Sequence, residues 1–334
     1  MEVCVALRLV LAFEGVECLW AKAPPIPAAM KGNRTMSIAS SNSIELFYDE
    51  FGNRSAPVIL LIMGLGGQMI AWPETFCEGL AKHGFHVVRF DNRDVGLSTK
   101  LDGAAPADVG AALGRAAKGQ PIEAPYVLND MARDAVGLLD ALGIERAHIV
   151  GASMGGMIAQ IIAADYKERV RSLVSIMSTS GDPNLLPAKP ELMAFVAAPP
   201  PEAREARIEW GIKFWQTIGS PAYPTPEPML RAKVTRAIER SSYTAGRPRQ
   251  LVAILADGSR VDRLKRIVAP TLVIHGADDP LVPVEHGKDT ARNIHGAKLM
   301  IEPGMGHDLP EALIPTLVKA IATHCHGSDV AADQ

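Results

Sequence analysis

The sequence predicts an α/β protein, with helices covering both faces of a mostly parallel β-sheet. Short apolar runs recur from residue 43 onward, with helical stretches between them. Several of these runs are apolar throughout, as strands buried on both faces are. Strand and helix alternate, which is the order that lays parallel strands side by side beneath their crossover helices.

Residues 44–48 (IELFY) alternate apolar and polar, the pattern of an edge strand with one wet face. Residues 58–63 (VILLIM) are continuously apolar and read as a central strand. The runs HVVRF at 86–90, AHIV at 147–150, VRSLVSIM at 170–177, TLVIH at 271–275 and KLMI at 298–301 repeat the theme. Between them, residues 130–142 place Met131, Ala135, Leu138, Leu139 and Leu142 on one helical face, and Gly143 stands where a left-handed cap ends a helix.

One stretch breaks the alternation. From residue 180 to about 260 there is no strand pattern, and frequent prolines divide the segment into short helices. Ile208, Ile212 and Trp215 form one helical stripe, and Trp210, Phe214 and Ile218 form a second. A helix with two apolar stripes needs cover on more than one side, which fits either core packing within a small helical subdomain or the wall of a pocket. The organisation expected is a poorly structured extension (1–36), an α/β core (37–182 and 261–326), a helical insertion (183–260) and a C-terminal tail (327–334).

Composition narrows the function classes. Thirty-four basic against thirty-seven acidic side chains leave a charge of −3, no basis for binding nucleic acid or an anionic membrane. No run reaches the roughly 20 apolar residues of a membrane span. Residues 3–13 are apolar, but Glu2 precedes them and Arg8 interrupts them, unlike a secretory leader. Four scattered cysteines without a CxxC pair point to reduced thiols, so a cytoplasmic protein without a structural metal is expected.

The chemistry centres on Gly151-Ala152-Ser153-Met154-Gly155-Gly156, which follows the AHIV strand and opens an apolar helical run. Alone, G-x-S-x-G is a weak signal. Strand, tight turn and helix around it make the setting of a nucleophile elbow, with Ser153 lifted above the sheet edge. A serine needs a base, and a third group to orient that base. After TLVIH comes a loop with adjacent carboxylates, Asp278 and Asp279; after KLMI comes Pro303-Gly304-Met305-Gly306-His307. The order serine, acid, histidine makes His307 the base and leaves the acid open between the two aspartates. His148 and His275 lie within strands and read as core; His324-Cys325-His326 reads as a solvated tail rather than a metal pair. An oxyanion hole needs two backbone donors. Met154, directly after the nucleophile, supplies one. The loop Met63-Gly64-Leu65-Gly66-Gly67 supplies the other, assigned to Leu65.

These residues resemble the serine α/β-hydrolase superfamily over about residues 40–323. The segments MGLGG followed by AWP, RFDNRDVGLST, HIVGASMGG, PTLVIHGADDPLVP and PGMGHDLP are most similar to the aclacinomycin methylesterase-like carboxylic ester hydrolases. The resemblance implies an eight-stranded sheet with a helical cap after the sixth strand. It also implies Asp279 rather than Asp278 as the acid, no cofactor, and a scaffold role for the loop from Asp91 to Ser98. Many relatives carry His-Gly where this chain has Met63-Gly64, which keeps the backbone donor and drops the imidazole. The function implied is hydrolysis of a small or medium, largely apolar ester through an acyl-enzyme. Trp72, Trp210, Phe214 and Trp215 are expected to wall the substrate pocket. Rival readings are a carbon–carbon hydrolase, lyase or cofactor-free perhydrolase on the same triad, or a ligand receptor on this fold. Ser153 disfavours dehalogenases and epoxide hydrolases, which attack with a carboxylate.

Overall fold

The computed structural model describes residues 37–332, so the expected extension over residues 1–36 lies outside the described residues. The eight strands are β1 (Ser37–Ser41), β2 (Ile44–Phe51), β3 (Val58–Ile62), β4 (His86–Phe90), β5 (Ala147–Ala152), β6 (Val170–Ile176), β7 (Thr271–Gly276) and β8 (Lys298–Glu302). They form one sheet in the order β1-β2-β4-β3-β5-β6-β7-β8. β2 runs against both β1 and β4, and every other pair is parallel. The edge assignment for residues 44–48 is therefore corrected. β1 lies outside them, joined through Asn42 and Ser43, both at positive φ. Ser37–Ser41 is short and rich in small polar residues, so its pairing is set by the turn and by Ser41 Oγ donating to Asp134 O rather than by apolar pattern.

The strand order reverses at β3: β4 lies on one side and β5 on the other. Loops leaving the carboxyl ends of β3 and β5 diverge there, and such a switch point opens a crevice above the sheet. β3 is buried along its whole length, with Leu60 and Ile62 facing one apolar layer and Ile59 and Leu61 the other. The first layer is covered by α3 (Leu128–Ala141) and α4 (Met154–Asp165), the second by α1 (Glu74–Lys82) and α11 (Ile314–Ala332). α4 is buried from Met154 through Ala164, because it lies under α3 as well as against the sheet.

Between β6 and β7 there are only helices: α5 (Pro190–Ala197), α6 (Arg204–Ile218), α7 (Glu227–Arg240), α8 (Gly246–Asp257) and α9 (Val261–Leu264). α6 and α7 pack through Ile208, Ile212, Leu230 and Val234. Gly211 permits that approach, since a Cβ there would lie 2.7 Å from Val234 Cγ1. α8 turns back, and its Ala253 joins the layer beneath α3 and α4. The remaining helices are α2 (Val109–Ala116) and α10 (Val284–Asn293). The C-terminal tail expected over 327–334 is corrected too, because α11 runs on to Ala332. Within it Cys325 and His324 are buried, and the His326 ring meets His83 O at 2.9 Å. The apolar spacing of Leu317, Val318, Ile321 and Cys325 holds that helix against the sheet.

Candidate active site

The turn from β5 into α4 places Ser153 at φ 55 and ψ −121, a region that costs a non-glycine residue about 1–3 kcal/mol. The neighbours tolerate this turn only because they lack side chains. A Cβ on Gly155 would stand 2.0 Å from Ile62 O, and one on Gly151 would stand 2.1 Å from Gly155 O. Ser153 N donates to Ile176 O at 2.9 Å, which ties the turn to β6. The strain is local, and the surrounding sheet imposes it.

His307 reaches Ser153 from the loop after β8. Its Nε2 lies 3.0 Å from Ser153 Oγ, and its Nδ1 lies 2.7 Å from Asp279 Oδ2. The other Asp279 oxygen accepts from Leu281 N at 2.9 Å and Val282 N at 2.8 Å. Asp278 turns away and accepts from Gly304 N at 2.9 Å. The end of α6 fixes the histidine loop: His307 N donates to Ile218 O at 2.7 Å, and Gly306 N donates to Ser220 Oγ at 2.9 Å. Ser220 in turn donates to Asp308, whose carboxyl is pushed up by burial. His275, beneath the acid, donates to Val282 O at 2.7 Å, and burial lowers its pKa.

The loop after β3 curls beside the serine. Gly64 and Ser153 are so close that a glycine Cβ would stand 3.0 Å from Ser153 Cβ. Gly67 N donates to Gly64 O at 3.0 Å and Gly66 N to Gln250 Oε1 at 2.8 Å. The N–H groups of Gly66 and Gly67 are thereby engaged within the fold, and Met154 stands at the first position of α4. The segment after β4 braces this loop: Asn92 Nδ2 donates to Met63 O at 2.9 Å and Met69 N donates to Asp91 Oδ1 at 2.7 Å. Gln250 also donates to Arg93 O at 2.9 Å, so one fully buried side chain joins both loops. Sequence reasoning missed Gln250, because it sits 184 residues beyond Gly66 in a helix with no motif.

The aromatic residues divide. Trp210, Phe214 and Trp215 line a cavity of about 600 Å³ together with Leu65 and Gly66. Trp72 does not, and its place in the pocket is corrected. It is fully buried under the sheet and stacked on Phe76 at 5.2 Å, because the single helical turn of Met69–Ala71 carries it inward. Neither Ser153 nor His307 lines it. Leu65, which does line it, packs against the cluster of Ala188, Leu192, Val196 and Ile218. Among the described residues there is no cluster of metal-ligand type, and no helix is long and apolar enough to cross a membrane.

Comparison with known proteins agrees with the fold. A rhodomycin D methylesterase from Streptomyces peucetius is 26% identical over 311 residues, covering 87% of this chain and 98% of its own length. A 2-hydroxy-6-oxo-6-phenylhexa-2,4-dienoate hydrolase from Comamonas testosteroni is 33% identical over 193 residues, 53% of this chain and 61% of its own. The crystal structure of an enol-lactonase from Burkholderia xenovorans superposes with a TM-score of 0.68 at 23% identity, over 86% of this chain and 99% of that one. The alpha/beta hydrolase fold model matches residues 57–311, which hold the serine turn, the aspartate loop and His307. The chain belongs to the alpha/beta hydrolase fold family.

Proposed function

We propose that the protein hydrolyses a small or medium, largely apolar carboxylic ester in the cytoplasm, without a cofactor. The observation that carries this reading is a serine in a strained turn, 3.0 Å from an imidazole whose other nitrogen meets a buried carboxylate. Ser153 Oγ attacks the ester carbonyl while His307 Nε2 takes its proton. Asp279 holds the ring with Nδ1–H directed at the carboxylate and stabilises the imidazolium. The tetrahedral oxyanion is received by the Met154 and Leu65 N–H groups, each worth about 3 kcal/mol in the transition state. Collapse breaks the ester bond, and the leaving alkoxide takes the proton from His307. Water then attacks the acyl-enzyme with His307 again as base, which releases the acid and restores Ser153.

Treatment with a fluorophosphonate, followed by peptide mass mapping, tests the nucleophile. An adduct on Ser153, with turnover lost in Ser153→Ala and His307→Ala, is the expected result. Absence of an adduct favours a receptor on this fold. A second reading, carbon–carbon bond hydrolysis on the same triad, is supported by the likeness to the Comamonas enzyme. An adduct on Ser153 combined with silence on a graded ester panel would favour it.

A further inference from the structure

The cavity beside Leu65 holds more positive charge than its surroundings neutralise. Four cationic side chains line it (Arg207, Lys233, Arg236 and Arg247) against two carboxylates, Glu74 and Glu311. Arg236 pairs with Glu74 at 3.0 Å. Arg207 spends its guanidinium on the Pro201, Glu202 and Ser242 carbonyls. Lys233 and Arg247 have no carboxylate within ion-pair distance and no hydrogen-bond acceptor among the described residues. They rest on aromatic faces instead. Lys233 Nζ lies 3.4 Å from the Trp215 ring centre, and the Arg247 guanidinium lies 5.5 Å from Trp210 and 6.0 Å from Phe214.

A ring face attracts a cation by about 0.5–2 kcal/mol but accepts none of its N–H bonds well. An ammonium has three such donors and a guanidinium five. Both side chains are only half-buried and line the cavity, so these donors are left unspent by the fold and open to a ligand. Burial pulls Lys233 down to about 8 and Arg247 down to about 10. The two cations also stand over one continuous wall, since Trp210 and Phe214 stack at 5.7 Å and Phe214 meets Trp215 at 5.8 Å. The Arg247 stem lies against the loop beside Ser153, where a Cβ on Gly66 would stand 3.1 Å from it.

Resting on the ester reading above, we propose that this cavity binds the free carboxylate of a half-ester, an ester whose flat, apolar body carries a second, ionised carboxyl group. Lys233 and Arg247 receive the carboxylate, Trp210, Phe214 and Trp215 receive the body, and the scissile carbonyl passes Leu65 to Ser153.

The test compares kcat/KM for monomethyl terephthalate with that for its carboxamide analogue, which has the same shape and no charge. Wild type is expected to prefer the half-ester by about tenfold or more, as one well-met charge warrants. Lys233→Gln and Arg247→Gln should each narrow the ratio, the double variant should bring it near one, and Lys233→Arg with Arg247→Lys should retain part of it. Equal use of both esters by wild type, or a ratio unmoved in the double variant, overturns the proposal. Calorimetric binding of benzoate and benzamide to Ser153→Ala protein separates this from failure of the ester reading. If neither ester turns over but benzoate binds about tenfold tighter, and loses that advantage in the double variant, the subsite stands without the reaction. Equal binding sinks the subsite whatever the enzyme hydrolyses. Melting temperatures verify that each variant folds.

Discussion

At the scale of single residues, two adjacent aspartates show what spacing leaves open. Both Asp278 and Asp279 follow the same strand, and nothing in their order along the chain ranks them. The fold ranks them by direction: Asp279 faces His307 at 2.7 Å, while Asp278 braces Gly304 N. Asp279→Asn should therefore lower kcat by roughly four orders of magnitude, since an amide no longer favours the productive tautomer. Asp278→Asn keeps an oxygen for Gly304 and should cost less than about tenfold; steady-state kinetics of the two variants decides the assignment. A second prediction concerns Lys233. Burial lowers it, opposed by Asp308 and Glu311, while the Glu74–Arg236 pair shares the cavity wall and Arg247 stays charged. Its folded pKa of about 8 means the ammonium is mostly charged at pH 7 and mostly neutral at pH 9. Preference for a half-ester over its carboxamide should thus decline as pH rises through that window. The ratio cancels the ionisation of the triad, which both substrates share. A constant ratio from pH 7 to 9 would mean that Lys233 keeps its charge through that range or takes no part in the subsite, and Lys233→Gln distinguishes the two.

At the scale of elements, apolar residues of one type separate by the element that carries them. Trp72 follows a single helical turn into the layer under the sheet, whereas Trp210, Phe214 and Trp215 stand on α6, which faces a cavity. Sequence pattern identified the two stripes of α6 but said nothing about the direction in which a loop carries Trp72. The consequence is measurable. Trp72→Ala empties a core site, costs about 3–5 kcal/mol and lowers the melting temperature by many degrees, with all esters affected alike. Phe214→Ala opens the cavity and should shift the ratio of long to short esters severalfold, because a methylene in such a pocket is worth about 1–3 kcal/mol. A Phe214→Ala protein that melts early with its chain-length profile intact would make that ring packing alone. β1 and the last turns of α11 were illegible for the opposite reason. Ser37–Ser41 has little apolar signal, and the histidines at 324 and 326 conceal a helix whose buried face is made by its neighbours.

At the scale of the whole molecule, the strands and the serine turn were legible because they are local: VILLI and GASMGG state their burial and their turn within a few residues. Bonds across the chain were not, as Gln250 shows by holding Gly66 from 184 residues away. The same long-range packing sets how the protein meets acid. His86, His148, His275 and His324 are buried, and in each burial is the leading cause lowering the pKa below 6.5. His148 shows the arrangement, with Nδ1 2.8 Å from Ser172 Oγ and Nε2 3.2 Å from Asp329, whose carboxylate only partly offsets the burial. The unfolded chain protonates these rings as pH falls through about 6.5, while the folded chain resists. Unfolding then takes up protons, so stability is complete above that value and is lost as pH drops toward the depressed folded values. Asp134 and Asp308, raised by burial, act in the opposite sense and offset part of that loss as pH falls through their raised folded values. The melting temperature should accordingly fall steadily between pH 7 and 5, and His148→Gln should flatten the slope, because an amide keeps polar contacts without taking up a proton. A melting temperature level across that range would mean that the buried imidazoles protonate in place, with their charge accommodated inside the packed core.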